Sequence, residues 1–79
     1  MEITELQQKI QNVVNKEAEY ADKHGHSKLS TCNAAGWDRD IFNHRLQIME
    51  ALRNRGYNVS ASVNFGVMDI VTTPKIQVS

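Results

Sequence analysis

Apolar residues in the first part of the chain recur at Leu6, Ile10, Val13, Val14, Ala18 and Ala21, with Tyr20 beside them. That is the spacing of one helix face. Thr4-Glu5-Leu6-Gln7 ahead of the stripe reads as a capping box, in which the Thr4 hydroxyl accepts from the Gln7 amide. Lys23 and His24 suit the negative end of the helix dipole, and Gly25 suits the left-handed residue that ends a helix. The pattern predicts a first helix over 4–24, about 30 Å long. Ile3, Leu6, Ile10, Val13 and Tyr20 also fit a and d positions of a short heptad pattern, which would let this helix zip onto a partner helix. Core packing is the simpler reading.

A second stripe follows at Ile41, Phe42, Leu46, Ile48, Met49 and Leu52, with Asp38 as its cap and Arg53 and Arg55 at its end. These residues cover about half of a helical wheel, a broad buried face. Gly56 followed by Tyr57 is the Schellman ending and the sharpest local signal in the chain. The intervening 25–36, rich in Gly, Ser, Thr and Asn, reads as a loop, long for a helix–helix connection.

After Gly56 the period becomes two. Tyr57, Val59, Ala61, Val63 and Phe65 point one way, and Asn58, Ser60, Ser62 and Asn64 the other, as in a half-buried strand. Asn64-Phe65-Gly66 makes a turn, and Val67–Thr73 a second strand that Pro74 ends. Val67 and Val71 lie on one face of that strand, Met68 and Ile70 on the other. An isolated hairpin is marginal in water. One face is expected on the helices and the other on a neighbouring molecule. The tail Lys75-Ile76-Gln77-Val78 alternates as well. It would add a short third strand or pair with another subunit's edge. The reading is α+β: one domain over 1–79, with two antiparallel helices followed by a β-hairpin and a short C-terminal strand.

Composition narrows the function classes. Leu, Ile, Val and Phe make up 19 of 79 residues, enough to fold. A chain this short buries only about 60–65% of its unfolded surface, which favours self-association. Net charge is zero, from nine basic and nine acidic residues, unlike the broad positive footprint of a non-specific nucleic-acid binder. A single cysteine, Cys32, makes no internal disulfide, and no apolar run reaches membrane-spanning length. A cytoplasmic protein is expected.

Several charges fall within the apolar stripes. Glu17 and His24 lie in the middle of the first, and Arg45 lies between Leu52 and Met49 on the second, with Asp38 close by. Isolated buried charges cost several kcal/mol, on the order of 3–5 when one partner is removed. Counting outward from the loop of an antiparallel helical hairpin pairs Glu17 with Arg45 and His24 with Asp38. A structural pair fixing helix register is the bland reading. The sharper one makes Arg45 a bidentate clamp for a small anion or a partner's carboxylate.

Other constellations are weaker. His24, His26, Cys32 and His44 are the one transition-metal set, but their spacing matches no standard zinc motif. Cys32 lacks the neighbouring base and presenting turn of a nucleophile. Arg53 and Arg55 beside the hairpin, with Phe65 at its tip, could form a small nucleic-acid patch, although the helix dipole also explains both arginines. The sequence therefore reads as a non-enzymatic, cofactor-free interaction protein. It is expected to self-associate, to bind another protein through hairpin residues such as Phe65 and Met68, and to make no membrane contact. Its size suits a small accessory protein of the type phages and mobile elements encode. Nucleic-acid regulation and small-anion binding at Arg45 are the alternatives.

Overall fold

The computed structural model describes residues 4–36 and 38–75. Its element order is α1 (Glu5–His24), β1 (Ser27–Cys32), α2 (Arg39–Asn43), α3 (Arg45–Asn54), β2 (Asn58–Asn64) and β3 (Val67–Thr73). The three strands form one antiparallel sheet in the order β1-β3-β2. Because β1 and β2 both run antiparallel to β3, they are parallel to each other, and α2–α3 cross between them.

α1 forms as its sequence dictates. Thr4 caps it, its hydroxyl accepting from the Gln7 amide at 3.1 Å, and Gly25 closes it at φ 84° with its N–H on the Ala21 carbonyl at 2.8 Å. Ile10, Val14, Ala18 and Ala21 are buried. Ile10, Val14 and Ala18 pack with Ile48 and Leu52 of α3, so α1 spends its stripe within its own chain. The expected 4–24 helix is present.

Half of the loop expected over 25–36 is β1, Ser27–Cys32, and this is the main correction to the fold. Its helix-facing positions are Ser27, Leu29 and Thr31. Two of these are polar, so the alternation that marks a strand is missing from the sequence. The buried hydroxyls are nevertheless satisfied: Ser27 donates to Glu17 and Thr31 donates to the Met68 carbonyl at 3.0 Å. A buried polar group with a partner costs little. The third strand of the sheet is therefore β1. The third strand expected from the tail Lys75-Ile76-Gln77-Val78 falls, beyond Lys75, outside the described residues.

β1 also reverses the chain between the helical segments, so they do not form an antiparallel pair. Lys9 meets Asp38 at 2.7 Å, Arg55 meets Asn15 at 2.6 Å and Tyr57 meets Asp22 at 2.7 Å. These contacts climb both segments together, so α2–α3 run in the same sense as α1. The second helix is moreover broken at His44 (φ −112°, ψ 20°). There the Arg45 guanidinium takes the Phe42 carbonyl at 2.7 Å, and the His44 Nδ1 lies 2.9 Å from the Asp40 carbonyl.

α3 ends in the Schellman arrangement. Tyr57 N–H donates to the Leu52 carbonyl at 3.2 Å and Gly56 N–H to the Arg53 carbonyl at 2.9 Å, with Gly56 at φ 95°. The reversal turns Tyr57 onto the core and starts β2. In the hairpin, Phe65 (φ 51°) and Gly66 (φ 79°) form a two-residue turn with both φ positive, the type I′ geometry whose twist matches the strands. On the helix side of the sheet, Ile70 of the central strand is fully buried between Leu29 and Ala61.

Leu52→Ala should therefore cost about 2–5 kcal/mol of unfolding free energy in urea titration. A Cβ at Gly56 meets nothing within 4 Å, so the cost of Gly56→Ala is conformational alone, about 1–2 kcal/mol. Loss of less than half a kcal/mol at both positions would contradict this packing.

Candidate functional site

The two ion pairs expected between the helices do not form among the described residues. Glu17 is half-buried and accepts from the Ser27 hydroxyl. Arg45 lies with its guanidinium 4.2 Å from the centre of the Phe42 ring while it caps the Phe42 carbonyl. His24 stacks on Tyr20, with ring centroids 4.3 Å apart. Asp38 turns to Lys9 instead. The physical reason is β1: levels counted outward from a loop assume that the helices meet head to foot, and here they run alongside.

The Asp38 carboxylate does two jobs. One oxygen caps α2, accepting from the Asp40 amide at 3.1 Å and the Ile41 amide at 3.3 Å; the other holds Lys9. The Lys9 hydrogen bond, with lesser help from these amides, holds the Asp38 carboxyl below its ordinary value of 3.8 although burial opposes it. The same hydrogen bond raises Lys9 above 10.5. On the other side of the molecule, Tyr57 donates to Asp22 at 2.7 Å, which raises the phenol above 10. Helical spacing gave Lys9, Asp22 and the Tyr57 hydroxyl no pairing role and matched Asp38 to His24 instead, because a stripe on one segment carries no signal for polar partners on another.

Two clefts involve candidate residues. Glu17 lines one of about 450 Å³ between α1 and β1, with Lys16, Tyr20, His26 and Lys28 around it and Ile41 of α2 at its side. Arg53 lines another of about 380 Å³ at the end of β2, beside Tyr57, Val59, Thr73 and Lys75. Arg53 donates to the Val59 carbonyl at 3.2 Å, whereas Arg55 reaches back to Asn15. The two arginines thus diverge. Arg53 keeps Lys75 as its basic neighbour. Cys32 is a free, half-buried thiol on β1, and among the described residues no three His, Cys, Asp or Glu side chains gather where a metal could bind. Among the described residues no helix is long and apolar enough to cross a membrane.

Comparison with known proteins adds no assignment. No protein-family model, curated protein or solved structure matches the chain.

The apolar residues left in solvent are therefore the more informative feature. Phe65 at the hairpin tip is fully exposed, and Val63 and Leu46 are about two-thirds exposed. Met68 is half-buried, on the helix-facing side of β3 opposite both Thr31 and Val63. β2 is an edge strand in which every residue except the half-buried Val59 is exposed. Arg53 anchors one side of α3 to β2 through the Val59 carbonyl. Leu46, two helical turns earlier, lies on that same side. Leu46, Val63 and Phe65 thus border one open edge of the sheet. Pattern reasoning marked Phe65 and Met68 but treated Leu46 as core, because a wheel cannot show where a sheet stops.

Two measurements test these assignments. Glu17→Ala and Arg45→Ala have no partner in common, so a double-mutant cycle should give a coupling below about 0.5 kcal/mol; coupling above 1 kcal/mol would restore the ion pair. Asp38 has a depressed carboxyl, so its contribution is complete above pH 3.8 and is lost as pH falls through the lower folded value. Asp38→Asn keeps the cap and removes the charge. Its unfolding free energy should fall less between pH 5 and pH 2 than that of the wild type, and parallel acid profiles would exclude the Lys9 contact.

Proposed function

We propose that this chain is a non-enzymatic interaction protein that associates with itself and binds another protein through the β2–β3 hairpin. The observation that carries the reading is β2 itself. A sheet edge presents unpaired N–H and C=O groups, and monomeric proteins usually blunt it with charge, proline or a covering element. β2 contains only Asn, Val, Ser and Ala, and the apolar Val63 and Phe65 at its far end stand in solvent. β1, the opposite edge, carries Lys28, and its pairing with Asp69 at 3.6 Å places that charge on the sheet's outer face.

Strand addition suits such an edge: main-chain hydrogen bonds supply affinity, and neighbouring apolar side chains supply selectivity. The small size of the chain points the same way, since burial of the hairpin's spare apolar surface adds to a limited core. A second reading has support from one observation. Arg53 and Lys75 share a cleft with Tyr57, a grouping suited to phosphate on a nucleic acid. Filter binding across salt concentrations separates the two, because contact with phosphates weakens steeply with salt.

Light scattering on the pure protein should give a mass of about twice 9.0 kDa or more. Phe65→Asp, at a fully exposed position, should shift the population to monomer with an unchanged circular dichroism spectrum. A wild-type monomer throughout the micromolar range would overturn self-association.

A further inference from the structure

β2 reads Asn58-Val59-Ser60-Ala61-Ser62-Val63-Asn64, the same in both directions about Ala61. We propose that two copies of this chain join edge to edge, β2 pairing antiparallel with β2 of the second copy about a two-fold axis at Ala61. The inference rests on the self-association proposed above and adds its geometry. An interface about a two-fold axis uses one patch twice, so each residue must suit the residue that the symmetry places opposite it. In this register every residue of the strand faces its own kind. Val59 meets Val63 and Ala61 meets Ala61 on the helix side; Asn58 meets Asn64 and Ser60 meets Ser62 on the outer side.

The backbone groups agree with this register. Asn64 and Val67 flank the two-residue turn, and residues in that position exchange both main-chain hydrogen bonds. Alternation then turns the N–H and C=O groups of Asn58, Ser60, Ser62 and Asn64 towards β3. Those of Val59, Ala61 and Val63 face the open edge. These are the groups that the two-fold brings together: Ala61 exchanges both bonds with its counterpart, and Val59 does so with Val63. Arg53 already donates to the Val59 carbonyl, but a carbonyl oxygen has two lone pairs and accepts again. A shift by one residue would set outward-facing groups against inward-facing ones.

The same register gives the exposed side chains a place. Phe65 of the second copy comes level with Tyr57, beside the cleft of about 380 Å³ that Arg53 and Lys75 also line. Directly opposed residues share a face, so both helical layers fall on one side of a continuous sheet. Leu46 and Val63 border the seam.

The pairing has two independent tests, each made on the full chain. Ala61 is exposed, so a longer side chain there reaches solvent in the free monomer. A61K alone and A61E alone should each weaken association by about tenfold or more, because like charges are then opposed across the two-fold. Mixing A61K with A61E should restore a dimer by light scattering. In a C32S background, S60C mixed with S62C should form an intermolecular disulfide under mild oxidation, since opposed non-hydrogen-bonded positions have Cα atoms about 4.5 Å apart. Either variant alone should cross-link far less. Wild-type dimers that A61K and A61E leave intact, or S60C that cross-links to itself as readily as to S62C, would overturn this register while leaving self-association standing. A wild-type monomer would overturn both.

Discussion

The double pairing of β3 is the constraint on which the rest of this protein depends. β3 is the last strand in the chain order described, yet it occupies the centre of the sheet and needs a hydrogen-bonding neighbour on each side. One neighbour, β2, is supplied locally through a two-residue turn. The other, β1, comes from about forty residues earlier and can arrive only if α1 ends and reverses at Gly25. With β1 in place, Ile70 is enclosed by Leu29, Ala61 and the helical layer, and Thr31 and Ser27 find partners for their hydroxyls. Without β1, β3 would be half of a bare hairpin, which is marginal in water.

The helical layer follows from that sheet. The sense in which α2–α3 run is set by β1, and it brings Lys9 to Asp38 and Tyr57 to Asp22 at opposite ends of α1. Both contacts are exposed, and surface pairs of this kind contribute little energy each. Their value is positional. They report that α1 and α2–α3 lie side by side over a common core of Ile10, Val14, Ala18, Ile48 and Leu52. The break at His44 is a local event within this frame, where the Arg45 guanidinium occupies the Phe42 carbonyl and the His44 ring shares the Asp40 carbonyl with its own N–H.

A sheet whose centre comes last leaves β2 as an outer strand, and the functional reading grows from this placement. The helices cover one face of the sheet and extend over Val59, but Val63 and Phe65 lie beyond them. An edge of small neutral residues next to a short apolar rim is suited to accepting another strand. Glu17 and Arg45, which looked like a functional charge layer when each helix was read alone, are absorbed by local partners on α1–β1 and α2.

What the sequence by itself determined is whatever depends on neighbours a few residues away. The capping of α1 by Thr4, its end at Gly25, the Schellman turn at Gly56 and the Phe65-Gly66 hairpin all rest on contacts within about six residues, and each is legible because special φ values and orphan backbone groups demand particular residues. The phase of β2 was legible from its period-two alternation, whereas β3 has apolar residues on both faces and left open which of them meets the helices. β1 was not legible, since its inward positions are Ser27 and Thr31, and only the carboxylate of Glu17 and the carbonyl of Met68 make those hydroxyls acceptable in a core. The relative sense of the helices, the partners of Glu17, Arg45 and Asp38, and the exposure of Leu46 were decided with it. These are long-range matters: a stripe on a helical wheel states that a face must be covered, and only the assembled sheet states by what and how far.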